Sequence, residues 1–225
     1  MRVCGKNILR EVNPKKVRKV LLSSHFSDQE LMNKIKNEKL KYMIMDQKTM
    51  DAMMPHNQGV IIEMDDYEYA SIEDIRGDFI VVLDHLEDPH NFGAIIRTCE
   101  ARGIKEIIIP KDRGVLVNDT VMKTSAGALN HVHIILVTNL HNTIEKLKDQ
   151  GYFIYGAEAD GVNYQQVNYA KKRVLVIGSE GNGLSRLVKK DCDEIISIPM
   201  KGKVNSLNAS VASAILIYGI GDEDA

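Results

Sequence analysis

Beyond residue 78 the chain alternates short apolar runs with longer stretches in which apolar residues recur at helical spacing. DFIVVLD (78–84) is continuously apolar, as expected of a strand buried on both faces of a parallel sheet. EIIIP (106–110), VHIILV (132–137), YFIYGA, VLVIGS and EIISIPM supply further strands. Between them the pattern predicts helices near 92–102, 119–126 and 140–150, and a last one over 207–219. Strands separated by helices make βαβ units, so the expected fold class is α/β with a mostly parallel sheet. Earlier in the chain, VRKVLLS (17–23), KYMIM (41–45) and QGVIIEM (58–64) read as strands. SDQELMNKIKNE offers Ser27 and Asp28 as caps and places Leu31, Met32 and Ile35 on one helix face. The stretch 64–78 has few aliphatic residues, several acids and no helical period, and reads as a linker ending near Gly77. The expected organisation is a small α/β domain (1–70), a linker (71–78) and a larger domain (79–225).

Composition narrows the class. Of 225 residues 44% are hydrophobic and 27% charged, as in ordinary globular chains, and no apolar run is long enough to span a bilayer. MRVCGKNILR lacks the apolar core of a signal peptide, and three dispersed cysteines suit neither a disulfide framework nor a zinc site, so a reducing cytoplasm is expected. Net charge is −2, which alone disfavours a nucleic-acid partner. Its distribution alters that picture: the first fifty residues carry 12 Lys/Arg against 5 Asp/Glu, a local balance of +7. Such a lobe attracts phosphates locally, because salt screens the acidic remainder beyond about 8–10 Å. A solvated lysine-rich helix surface would give the same numbers.

Three stretches hold candidate chemistry, each where a strand ends and a helix begins. In DPHNFGAIIRT (88–98), Asp88-Pro89 turns the chain, Asn91 is a candidate N-cap, and Gly93, Ala94 and Arg97 share one helix face. The small residues would let a backbone or ligand approach beneath the guanidinium. GSEGNG (178–183) sets Gly178 at a strand end and Glu180 inside a glycine-rich turn, where folding seldom requires a carboxylate. In ISIPMKGKVNSLNAS (196–210), Ser206 and Asn208 can cap the last helix and also present polar side chains. Each stretch could equally be a capped or glycine-rich connection with no ligand. No dinucleotide fingerprint or phosphate loop is present, and no histidine pattern has metal-ligand spacing; His131 and His133 share a strand face without a third partner.

In order, spacing and intervening strands, these stretches resemble the three signature motifs of the SpoU/TrmH family of RNA 2′-O-ribose methyltransferases, within the SPOUT superfamily. The resemblance extends through DRGVLVNDTVMKTSAGAL (112–129) and covers 79–220. VCGKNILREV and HNQGVIIEM resemble, more weakly, the small RNA-binding domain that family members carry. Within the family, the chain is most similar to members that methylate a guanosine ribose in large-subunit rRNA. The resemblance implies a C-terminal deep trefoil knot, a fold that periodicity could not suggest. It implies S-adenosylmethionine held by Gly178, Ile198, Met200, Ser206 and Leu207, largely through backbone atoms. Asn91, Arg97, Glu180, Ser206 and Asn208 fall at catalytic and substrate positions, and a homodimer with its active site near the subunit interface is implied, without metal or membrane.

The chemistry suits these residue types. Methyl transfer to a ribose 2′-oxygen discharges a sulfonium, so carbonyl-rich loops can orient the cofactor without overstabilising its charge. The hydroxyl needs a base or a group that stabilises its developing negative charge. A guanidinium stays protonated in proteins, so Arg97 is expected to act by position and electrostatics. Asn91 and Asn208 would orient the ribose, and Glu180 would orient Arg97 or the target nucleotide. The other readings are a relative acting on tRNA, a resistance methyltransferase acting on the ribosome, a non-catalytic RNA-binding factor, and an unrelated nucleotide-binding enzyme.

Overall fold

The computed structural model describes residues 1–204 and 206–220. Its first part is a four-stranded sheet wrapped by three helices. In chain order these are β1 (Arg2–Cys4), α1 (Lys6–Glu11), β2 (Val17–Ser23), α2 (Gln29–Asn37), β3 (Tyr42–Met45), α3 (Gln47–Met53) and β4 (Val60–Met64). The sheet order is β1-β4-β2-β3, with β2 and β3 parallel and the other pairs antiparallel. Alternation along β2 sends Val20 and Leu22 to a core shared with α1 and α2, and Leu21 to one shared with Met50 of α3. Asp28 caps α2 by accepting from the Leu31 N–H at 3.2 Å, and Asp46 caps α3 through Thr49 N–H at 2.9 Å. The elements β1, α1 and α3 were not expected; each is too short to display a period.

The stretch read as a linker is docked. Ala70 N–H donates to Ile134 O at 2.9 Å, and the Tyr69 hydroxyl accepts from Val117 N–H at 3.0 Å. Ile75 is buried. Tyr67 and Tyr69, packed against the larger core, and the buried Ile75 thus give this acidic segment an apolar footing that a count of aliphatic residues does not reveal.

The second part comprises β5 (Phe79–Asp84), α4 (Pro89–Ala101), β6 (Glu106–Pro110), α5 (Asp119–Thr124), β7 (His133–Val137), α6 (Leu140–Asp149), β8 (Phe153–Asn163), β9 (Arg173–Gly178), α7 (Arg186–Asp191), β10 (Glu194–Ser197) and α8 (Ala209–Gly219). All six strands run parallel, in the order β10-β8-β9-β5-β6-β7. Both faces of β5 and β9 are buried, with Val81 and Leu175 in one core and Val82 and Val176 in the other. The last strand lies at one edge, yet α8 packs on α4, which follows the fourth strand of the order. The C-terminal segment therefore returns past β8 and β9 to reach its seat.

One cap differs from expectation and one agrees with it. Asp88, not Asn91, caps α4, accepting from His90 N–H at 2.9 Å, because Pro89 takes the first helical position and needs no N–H partner. Asn208 caps α8 by accepting from Ser210 N–H at 3.0 Å, so that helix starts at Ala209 and Ser206 lies outside it. His131 precedes β7, after the short helical turn Ala128–Asn130, so it does not share a strand with His133.

The two parts meet where β1 faces α5. Cys4 N–H donates to Asp119 Oδ1 at 2.8 Å, Lys123 Nζ donates to Cys4 Sγ at 2.9 Å, and Asn130 Nδ2 donates to Glu11 O at 3.3 Å. The motif-bearing stretch 112–129 thus seats the small domain on the large one.

Candidate active site

Ligands of parallel α/β sheets collect outside the carboxyl ends of the strands. At the carboxyl ends of β8, β9 and β10 the structure forms a cleft of about 640 Å³. Gly178 ends β9 within the sheet, opposite Asp84 of β5. The chain then doubles back, with Ser179 and Gly183 exchanging both backbone hydrogen bonds at 3.0 Å. A Cβ on Gly178 would overlap the Gly183 carbonyl, so the fold itself demands glycine there. Gly181 (φ 84) and Gly183 (φ 63) occupy the left-handed region that closes the turn.

A second wall comes from an irregularity in β8. Its pairing with β10 jumps from Gly156 opposite Ile195 to Val162 opposite Ile196. The residues between leave the ladder, and Ala157, Glu158 and Ala159 line the cleft. Glu158 Oε1 accepts from Leu184 N–H at 2.6 Å, pinning the far end of the glycine turn. Glu158 was not anticipated from sequence; its role arises from a register shift between distant strands. Asp84 was also missed: buried at the end of β5, it accepts from Ser185 N–H at 2.6 Å.

Most of the sequence-nominated residues converge here. Gly178, Glu180, Ile198, Met200, Ser206, Leu207 and Asn208 all line the cleft. Asn91 does not line it but is tied to it: buried on α4, its Nδ2 donates to Glu180 Oε1. Arg97 lies apart. It is exposed on α4, outside the cleft lining, and has no hydrogen-bond or ion-pair partner among the described residues. The small residues beside it serve packing rather than ligand access: a Cβ on Gly93 would come within 2.6 Å of Thr124 Cβ and 3.1 Å of Ser125 N. Outside the cleft, His141, Glu145 and Asp191 place potential metal-ligating atoms within 4.8 Å of one another, and His141 Nδ1 already pairs with Asp191 Oδ2 at 2.7 Å.

Chemically, the cleft combines an apolar floor, where Ile177, Ile196 and Leu216 lie, with acceptors from Glu158, Glu180 and the turns. Its size falls within the range of small-molecule sites. Apolar surface suits a purine, and acceptors without a facing cation suit a positively charged centre, so the residues present fit S-adenosylmethionine.

Comparison with known proteins gives the same picture. Residues 78–218 match the SpoU rRNA Methylase family and residues 2–70 match a domain described as RNA 2′-O ribose methyltransferase substrate binding. The chain belongs to the SpoU rRNA methylase family. A TrmH family tRNA/rRNA methyltransferase of Staphylococcus epidermidis is 40% identical, over 97% of this chain and 94% of its own length. Among solved structures, the SpoU methyltransferase AviRb of Streptomyces viridochromogenes, in complex with AdoMet, superposes with a TM-score of 0.83 at 22% identity, covering 98% of this chain and 89% of that one. The TrmH/SpoU tRNA modifying enzyme of A. aeolicus is 33% identical with a TM-score of 0.58, covering 67% of this chain and 77% of its own. The α/β fold, its parallel six-stranded sheet and the N-terminal domain are those of these methyltransferases, and the expected trefoil-knotted SPOUT architecture agrees with them. S-adenosylmethionine is the cofactor of the family.

Proposed function

We propose that this chain transfers a methyl group from S-adenosylmethionine to a ribose 2′-oxygen of RNA, with a guanosine of 23S rRNA as the target. The carrying observation is the convergence of two distant stretches, 178–183 and 196–208, on one cleft, with Asn91 of the first stretch tied to it through its bond to Glu180. When bound, the cofactor supplies a methyl group made electrophilic by its sulfonium. Gly178, Ile198, Met200, Ser206 and Leu207 would hold it, and the Gly178 turn fixes the backbone carbonyls around it. Glu180, oriented by Asn91, would position the target nucleotide, and Asn208 and Ser206 would bond the ribose.

Arg97 has no place in this cleft within one chain, which supports a homodimer. One face of α8 leaves Val211 and Tyr218 48% and 47% exposed, an apolar stripe beside α4 that a second copy would cover. The active site would then include the Arg97 of the neighbouring copy, gripping a phosphate and stabilising the 2′-oxygen as it loses its proton.

Domain content favours rRNA over tRNA. The A. aeolicus tRNA modifying enzyme matches 67% of this chain, whereas the rRNA methyltransferase of Sinorhizobium meliloti spans 97% of it, at 21% identity. The basic first fifty residues suit a lobe that reads folded RNA by phosphates and shape. The test is transfer of labelled methyl from S-adenosylmethionine to separate rRNA and tRNA pools, followed by mapping of 2′-O-methyl sites in cells with and without the protein. The expected result is one ribose site in 23S rRNA lost on deletion. Label on a base, or no transfer to RNA, overturns the reading.

A further inference from the structure

A second cleft, of about 650 Å³, lies across the 178–183 turn from the first and shares Ser179, Asn182 and Gly183 with it. It sits at the carboxyl ends of β5, β6 and β7, where Asp84, Pro110 and, one residue past β7, Thr138 line it. These are again the ends at which parallel sheets bind ligands. We propose that this cleft binds a guanine base of the RNA strand being methylated, so that the 178–183 turn lies between the first cleft, where cofactor and target ribose meet, and a second cleft that reads a base. The proposal rests on the function proposed above and extends it by naming where the strand is read.

The lining is that of a nucleotide site rather than of a simple anion site. Arg113 and Arg186 both line it, both are exposed, and neither has a carboxylate partner among the described residues. Elsewhere in the chain Arg2, Arg10 and Arg18 are each paired with an acid. Two free guanidinium forks across a cleft suit a phosphate. Glu87 and Asp112 line the same cleft, and ionised carboxylates can only accept hydrogen bonds. A fully ionised inorganic anion offers them no donor. A base whose edge offers adjacent N–H donors would satisfy them, and guanine, with N1–H and an N2 amino group, is that base.

His85 is held for such a role. Its Nδ1 pairs with Asp84 Oδ1, whose carboxylate is fully buried and fixed on its other oxygen by Ser185 N–H at 2.6 Å. A buried acid that fixes one ring nitrogen leaves Nε2 as the atom free to meet a ligand. An oriented imidazole is also a stacking surface for an unpaired base. His85 (φ 60) and Arg113 (φ 55) are non-glycine residues in the left-handed region, and both line this cleft.

The test uses the full chain saturated with S-adenosylhomocysteine and titrated with GMP, AMP and inorganic phosphate, with amide chemical shifts of His85, Asn139 and Ser185 as the readout. GMP is expected to bind alongside S-adenosylhomocysteine and more tightly than AMP or phosphate. Arg113→Asn, which tolerates positive φ, and Arg186→Ala are each expected to weaken GMP by about tenfold. Undiminished S-adenosylhomocysteine binding by these variants shows that they are folded, and His85→Asn provides a further variant that keeps the backbone conformation. Displacement of GMP by S-adenosylhomocysteine, equal binding of AMP or phosphate, or unchanged GMP affinity in the variants overturns the proposal. GMP binding is read without RNA, so absence of RNA methylation by the wild-type protein would overturn the proposed function and not this result.

Discussion

Asn91 and Glu180 are 89 residues apart and joined side chain to side chain, the amide donating to the carboxylate. Asn91 is 7% exposed on a helix seated in the core, whereas Glu180 is exposed at the tip of a glycine-rich turn with few other restraints. The buried partner therefore sets the position of the exposed one. The first and second motifs form one unit, and the turn that borders both clefts takes its bearing from α4.

Asn91→Ala and Glu180→Ala are expected to lower kcat/KM for RNA methylation by roughly 10- to 100-fold each, the scale of a misplaced catalytic geometry. Because each variant breaks the same bond, the double variant should be no worse than the weaker single variant by more than a few-fold, a coupling of about 1–2 kcal/mol. Affinity for S-adenosylhomocysteine should change little. A double-mutant cycle in kcat/KM checks this, and additive losses would show that the two residues act separately.

Gly178 and Gly181 should respond differently to alanine, although both belong to the same turn. At Gly178 a Cβ meets the backbone of Gly183 and Leu184, which cannot move aside as a flexible side chain would. Overpacking of that kind costs about 1–3 kcal/mol and displaces the turn from the cleft. At Gly181 no atom lies within 4 Å of the added Cβ, and the cost is only that of φ 84, about 1–2 kcal/mol, with the cleft intact. Gly178→Ala is thus expected to lose S-adenosylmethionine binding measured by calorimetry, and Gly181→Ala to lose stability but keep binding.

Local signals made much of this legible in the sequence. Continuous apolar runs marked β5, β6, β7 and β9 to within a residue or two, because strands buried on both faces need no alternation. Glycines at 178, 181 and 183 marked the turn, and motif order marked the family. What could not be read was set by distant pairing. Glu158 enters the cleft only because β8 and β10 slip out of register, and Asp84 anchors α7 only because β5 lies beside β9. The cap of α4 was misplaced because Asn91 has the right chemistry for a cap, while Pro89 already fixes the helix start two residues earlier.

Arg97 is expected to matter for turnover and not for cofactor affinity, since it lies outside the cleft lining. Arg97→Ala should lower the methylation rate by roughly 10²–10³-fold, the scale for removing a charge-stabilising donor, with S-adenosylmethionine affinity within about threefold of wild type. Arg97→Lys should recover part of the loss, because charge is kept and the bidentate fork is not. Single-turnover kinetics beside calorimetry separate the two quantities, and a parallel fall in cofactor affinity would contradict the placement.

Two of the three thiols should resist alkylation in the folded protein. Burial pushes the Cys192 thiol up to about 12, with the Asp191 and Asp193 carboxylates adding to the shift, and burial alone pushes Cys99 higher still. The thiolate is the reactive form, and at pH 8 a thiol titrating near 12 is ionised about once in 10⁴. Iodoacetamide at pH 8 should therefore label both at least roughly a hundredfold more slowly than in denaturant, read by peptide mass spectrometry. Equal labelling in the two conditions would mean that these segments open readily.

Acid should loosen the small domain through its helix caps. The Leu31 N–H bond holds the Asp28 carboxyl below its usual 3.8, with the nearby Lys6 and Arg10 cations reinforcing it against burial. Asp46 is likewise lowered by its bonds to Thr49. A carboxyl whose folded pKa lies below its unfolded one binds protons more readily when unfolded. Its contribution is complete above the unfolded value near 3.8 and is lost as pH falls through the lower folded value. Unfolding followed by circular dichroism from pH 6 to pH 2 should show stability falling below pH 4. Asp28→Asn keeps an oxygen to cap the helix but has no charge to lose, so at neutral pH it should lack the charge-dependent part of that contribution and below pH 4 it should fall less steeply than wild type. An unchanged acid slope in Asp28→Asn would assign the acid sensitivity to other carboxylates.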